Sequence, residues 1–160
     1  MANATASSKG GVCTITLPSN VSNIVLQPKT SGTTQWTNYC VWNGKWSLSE
    51  PTATPHHHPL GKWYAHQTTL DIEANHFNLI NSTTKHGTIT TGTNPSTANM
   101  TSMELTFTHQ EDSSKPILSD KLNIDTTNVN DDLTVITIMA EDGGDQNYLD
   151  FQMVITVTDN

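Results

Sequence analysis

Apolar residues in this chain recur at every second position and almost nowhere at helical spacing, a regularity that restricts it to sheet. The clearest runs are Cys13-Thr-Ile-Thr-Leu17, Leu70-Asp-Ile-Glu73, Met103-Glu-Leu-Thr-Phe-Thr-His109, Val135-Ile-Thr-Ile-Met139 and Phe151-Gln-Met-Val-Ile-Thr-Val157. In the third run Met103, Leu105 and Phe107 point one way, while Glu104, Thr106 and Thr108 point the other. This is the pattern of antiparallel strands with one wet face. Turn chemistry separates the runs: Pro18-Ser-Asn20, Ser31-Gly32, Asn43-Gly44, Gly92-Thr-Asn-Pro95, Asp112-Ser-Ser-Lys-Pro116, Asn130-Asp-Asp132 and Glu141-Asp-Gly-Gly144. Short strands at this spacing predict an all-β chain, an antiparallel β-sandwich of about nine strands and Greek-key type. With 160 residues the chain has enough for one cored domain. Residues 1–10 are expected as a flexible arm and 11–160 as the sandwich. A loop insertion around 47–62 carries His56, His57 and His58 between Pro55 and Pro59.

Charge narrows the partners. The net charge is -8 and every basic residue is Lys, so no guanidinium fork is present for phosphate or guanine. Nucleic acid is excluded as a partner by this balance, and no apolar run reaches the length a membrane helix needs. The N-terminal Met1-Ala-Asn-Ala-Thr-Ala-Ser-Ser lacks the charged-then-apolar order of a signal peptide. The expectation is a chain that is cytoplasmic, or exported to the cell surface or exterior without a classical signal. On that expectation the sequons at Asn3, Asn20, Asn81 and Asn99 follow from the Thr/Asn bias, and Cys13 and Cys40 read as buried free thiols rather than a disulfide. No Gly-x-Ser-x-Gly, P-loop or Gly-x-Gly-x-x-Gly occurs, and no enzyme is expected.

From Leu122 to Asn160 there are eight Asp or Glu and no Lys. Four of these carboxylates and two amides fall in Glu141-Asp-Gly-Gly-Asp145-Gln-Asn147-Tyr-Leu-Asp150, between two apolar runs. Like charges crowded on one loop repel unless a cation compensates them. Ca²⁺ suits such a loop because it takes six to eight hard oxygen ligands in flexible geometry, and the Gly pair lets the backbone turn sharply. The spacing is not that of an EF-hand, since Leu149 occupies its third ligand position. An ordinary solvated acidic hairpin remains the other reading of these residues.

The motif Glu-Asp-Gly-x-Asp-x-x-Tyr-x-Asp, followed by an alternating strand, resembles the bacterial calcium-dependent fucose/mannose-binding soluble lectins, the LecB-like family. Gly11-Val12, Leu17-Pro-Ser-Asn20 and Thr30-Ser-Gly32 resemble its N-terminal strand and specificity loop, and Ser114-Lys-Pro116 resembles its Asn-Gly-Lys-Pro hairpin. The resemblance implies a lectin in which one or two Ca²⁺ ions per chain bind the hydroxyls of a fucose- or mannose-like residue of a glycan. Carried over by position, Glu141, Asp145, Asn147 and Asp150 ligate calcium. Asp142 and Asp145 accept sugar hydroxyl bonds, and Thr30, Ser31 and Gly32 set specificity. The carboxylate of Asn160 would complete the site of a partner in a homodimer or tetramer. Geometry agrees with that last point, because ten residues of strand span roughly 33 Å and carry Asn160 away from its own loop. Three positions depart from the family: Leu149 replaces Asn, Asn147 replaces Asp, and Lys29 stands where a calcium-binding Asn is expected. An ammonium there can substitute for an ion, which leaves fewer calcium ions than the family holds. The alternative is therefore a divergent sandwich that has lost calcium and serves as a protein-interaction or structural module.

The aromatic group Trp36, Tyr39, Trp42, Trp46, Trp63 and Tyr64 is a further carbohydrate-stacking candidate. Trp36, Asn38, Cys40 and Trp42 would share one strand face, which favours core or interface. The three His read as a solvated loop rather than a transition-metal site.

Overall fold

The computed structural model describes residues 3–29, 37–48, 56–58, 61–63, 69–74, 86–93, 95–110, 117–119, 121–141 and 151–159. Among these there are thirteen strands and no helix. They are β1 (Thr5–Lys9), β2 (Val12–Thr16), β3 (Val21–Lys29), β4 (Thr37–Trp46), β5 (His56–His58), β6 (Gly61–Trp63), β7 (Thr69–Ala74), β8 (Gly87–Thr90), β9 (Met100–Gln110), β10 (Ile117–Leu118), β11 (Lys121–Asn130), β12 (Leu133–Glu141) and β13 (Phe151–Asp159). The larger sheet runs β1-β2-β9-β4-β7-β6-β5, with β10 also paired to β9, and the smaller runs β11-β12-β13-β3-β8. Every pairing is antiparallel. The chain crosses between the sheets after β2, β3, β7, β8 and β10, which sets strands far apart in sequence side by side.

There are more strands than the alternation predicts. β1, β5 and β10 contain no alternating apolar run, and they form because a neighbouring strand offers an unpaired ladder edge. The three His expected in a solvated loop are thus a strand, paired residue for residue with Gly61–Trp63. The N-terminal segment also differs from the flexible arm expected of it. Thr5–Lys9 pairs with β2 along its whole length, and Asn3 Nδ2 donates to Asn130 O at 2.8 Å and to Thr134 Oγ1 at 3.1 Å. These bonds tie the outer edge of the larger sheet to β11 and β12 of the smaller one.

The core lies between the two inner faces. Cys13 and Ile15 on β2, Cys40 and Trp42 on β4, and Met103, Leu105 and Phe107 on β9 meet Ile24 and Leu26 on β3, Ile136 and Ile138 on β12, and Phe151, Met153 and Ile155 on β13. Phe107 and Phe151 join the sheets edge to face, with ring centroids 5.5 Å apart at 85°. Each such fully buried side chain stabilises the fold by roughly 1.5–3 kcal/mol.

Asn43-Gly44, expected as a turn, lies inside β4 opposite Glu104 and Met103. Crowding accounts for the glycine. A methyl group there would stand 2.6 Å from Trp46 Cη2 and 2.7 Å from Trp42 Cη2. Those rings pack edge to face at 6.5 Å, and each indole N–H is engaged: Trp42 Nε1 donates to Met103 Sδ at 3.0 Å and Trp46 Nε1 to Ser96 O at 2.7 Å.

Candidate functional site

The register of the smaller sheet brings the candidate segments to one end of the sandwich. Ala140 pairs with Phe151, so the acidic segment 142–150 leaves β12 and returns to β13 at that end. Gln152 pairs with Lys29, so β3 finishes beside the start of β13 and hands over to 30–36 at the same end. Lys121 pairs with Glu141, which puts the start of β11 there as well. Strands separated by more than a hundred residues therefore set Lys29, Glu141 and Phe151, the ends from which these segments leave, at the same end of the sheet.

Among the expected metal ligands, Glu141 is described. It is fully buried, and it follows the buried Ala140, so the last turn of β12 is covered on both faces. A carboxylate taken out of water needs a positive or hydrogen-bonding partner to remain charged. The oxygen donors that follow it in sequence are the kind a hard cation accepts, so the residue chemistry fits Ca²⁺. Asp142, Asp145, Asn147, Asp150, Asn160, Thr30, Ser31 and Gly32 lie outside the described residues, as do Leu149 and Trp36. Among the described residues no group of three or more His, Cys, Asp or Glu comes together. Lys29 is placed by its backbone, at the end of β3. Lys121 was not singled out by the sequence reading. As the cross-strand partner of Glu141 it shares that residue's face of the sheet, and its signal is that it is the last Lys before the acidic C-terminal stretch.

The other end of β13 answers the question of Asn160. Asp159 pairs with Val21 and donates its N–H to Asp132 O at 2.9 Å. A strand of nine residues is roughly 30 Å long, so Asp159 ends β13 at the end of the sandwich remote from Phe151. The face formed by Phe151, Met153, Ile155 and Val157 is the interior of the sandwich.

The remaining candidates resolve into structure. Asn38, Cys40 and Trp42 are buried on one face of β4. Cys13 and Cys40 are free and buried, on strands that flank β9 on opposite sides. Two strand spacings of about 4.8 Å separate such positions, beyond the reach of a disulfide. Burial pushes the Cys13 thiol up to about 12 and the Cys40 thiol well above its ordinary value, so neither is a nucleophile near neutrality.

No protein-family model matches the chain, and no curated protein matches it. Solved structures do. The Chromobacterium violaceum lectin CV2L, solved in complex with alpha-methyl-fucoside, is similar over 93% of this chain and 96% of its own, with a TM-score of 0.53 and 13% identity. The Ralstonia solanacearum high-affinity mannose-binding lectin is similar over the same shares, with a TM-score of 0.49 and 16% identity. At such identity the likeness to the Chromobacterium protein speaks for the fold, an all-β antiparallel sandwich.

Proposed function

We propose that the chain is a carbohydrate-binding lectin that uses Ca²⁺, held by Glu141 and the segment 142–150, to bind a fucose- or mannose-like residue. The observation that supports the reading is the register of the smaller sheet, in which Ala140 lies opposite Phe151 and Gln152 opposite Lys29, so the strand ends that flank the acidic segment and Thr30-Ser31-Gly32 share one end of the sheet. Glu141, at the root of that segment, belongs to the same run of carboxylates, whose hard oxygens suit Ca²⁺. The sandwich it shares with a lectin solved with a fucoside supports a sugar as the ligand. In this reading Glu141, Asp145, Asn147 and Asp150 hold the metal. Asp142 and Asp145 accept sugar hydroxyls, and residues 30–32 select among sugars. Asn160 of a partner subunit completes the site, since its own strand carries it to the far end.

Calorimetry tests the reading. Protein stripped with EDTA should take up Ca²⁺, and only the loaded form should bind methyl α-fucoside or methyl α-mannoside. Asp145→Ala should abolish both steps. Unchanged calcium uptake by this variant, or sugar binding at the acidic end that survives EDTA, overturns the assignment. A protein that takes up no calcium and binds neither sugar there is the divergent interaction module instead.

A further inference from the structure

At the end of the sandwich remote from the acidic segment, the start of β3, the end of β4, the end of β8 and the start of β9 enclose a groove of about 440 Å³. This size is within the roughly 300–1,000 Å³ of small-molecule sites. Its walls carry hydroxyls and amides from Asn20, Ser47, Thr97, Asn99 and Thr101, and among the described residues no charged one lines it. The buried Val21 and Met100 add an apolar surface.

Three observations distinguish this groove from a chance gap between loops. Thr97 is 2% exposed, and its Oγ1 has no hydrogen-bond partner. A buried hydroxyl left in that state is costly, and a ligand hydroxyl that reached it would relieve the cost. Asn20 and Asn99, with φ of 65° and 63°, are the two non-glycine residues among those described that adopt left-handed backbone, and both line the groove. Asn tolerates this conformation in tight turns, and the two turns fix the rim of the groove. The walls are also held in advance of any ligand. Ser47 N donates to Asn99 O at 2.8 Å, Thr97 N to Thr90 O at 3.0 Å, Met100 N to Thr97 O at 3.1 Å, and Trp46 Nε1 to Ser96 O at 2.7 Å.

We infer that this groove is a second binding site, independent of metal, for a neutral polyhydroxylated ligand such as a sugar or polyol. The hydroxyl and amide walls match a ring of hydroxyls, and Val21 with Met100 suits the apolar face of a pyranose. The site does not rest on the calcium reading, because nothing in it requires an ion.

The experiment is amide chemical-shift mapping of the full chain in EDTA, titrated with methyl α-mannoside, methyl α-fucoside and glycerol. Shifts should saturate at millimolar ligand around Asn20 and from Thr97 to Thr101. Ala98→Trp places a ring at the exposed rim and should weaken the response at least ten-fold. Thr97→Val should weaken it several-fold while leaving thermal stability equal or higher, since it deletes an unsatisfied hydroxyl at constant shape. That opposition separates a ligand-binding Thr97 from a merely structural one, and it decides the matter alone if the Trp variant misfolds. The proposal is overturned by the absence of shifts at these amides at about 100 mM ligand, a concentration that populates even very weak sites. Shifts confined to the opposite end, or binding unchanged in Thr97→Val, overturn it equally. Because chelator is present throughout, failure here leaves the calcium site untouched, and failure of that site leaves this one standing.

Discussion

Replacing Gly44 by Ala tests whether the packing around β4 is as tight as the structure has it. The added methyl would meet Trp46 Cη2 at 2.6 Å, Trp42 Cη2 at 2.7 Å and Trp46 Cζ3 at 3.0 Å. Carbon atoms repel well before such distances, so something must move. Neither ring yields readily: Trp42 is fully buried and bonded to Met103, and Trp46 is pinned to Ser96 O. Overpacking of this kind costs about 1–3 kcal/mol, offset by about 0.5–1 kcal/mol from the smaller backbone entropy of Ala in a strand. The expected net loss is about 1–2 kcal/mol, a fall in Tm of roughly 2–8 °C for a chain of this size. Urea unfolding followed by tryptophan fluorescence measures it. A second change supplies the control, because Trp46→Phe removes the offending ring edge. The double variant should be more stable than the sum of the two single losses, with a coupling of about 0.5–3 kcal/mol. Gly44→Ala unfolding at the same urea concentration as the parent, or strict additivity in the cycle, would refute this account of β4.

Alkaline pH should unfold the protein through its thiols. The folded Cys13 value lies near 12 against an ordinary 9.0, so the neutral thiol's contribution is complete below pH 9 and is lost as pH rises from 9 toward 12. The slope is about 1.4 kcal/mol per pH unit for each such thiol, and Cys13→Ala should flatten it in urea titrations between pH 9 and 10.5. Native protein should react with a thiol reagent only on unfolding, and rapid labelling of both cysteines at neutral pH would contradict their burial. Deleting Asn160 should weaken calcium-dependent sugar binding; equal affinity in the shortened and full forms would remove Asn160 from the site. Lys29→Asn combined with Leu149→Asn should raise the calcium bound per chain in elemental analysis, since it removes a competing cation and adds oxygens. Two calcium ions already present in the unmodified protein would refute that role for Lys29.

Period-2 alternation is a local property, and what it determined was faces. Met103, Leu105 and Phe107 lie inside, as do Phe151, Met153, Ile155 and Val157, because a strand places alternate side chains on opposite sides whatever its neighbours are. Turn chemistry was equally local, so Ser19-Asn20 and Asp131-Asp132 turn where Pro18-Ser-Asn20 and Asn130-Asp-Asp132 predict. The acidic segment was legible as a candidate because like charges in one stretch require an explanation wherever they fold. Partners were not legible. Nothing in Val21–Lys29 announces that it will lie between β13 and β8, and that pairing alone brings Lys29 to the root of the acidic segment. Asn43-Gly44 reads as a turn until two indole rings from the same strand close over it. The groove of Asn20, Thr97 and Asn99 has no sequence signature at all, since its walls come from four strand ends that meet only after both sheets have formed. Side-chain direction follows from backbone geometry within a few residues, whereas strand order is chosen by the burial of whole faces against each other, and only the assembled sandwich decides it.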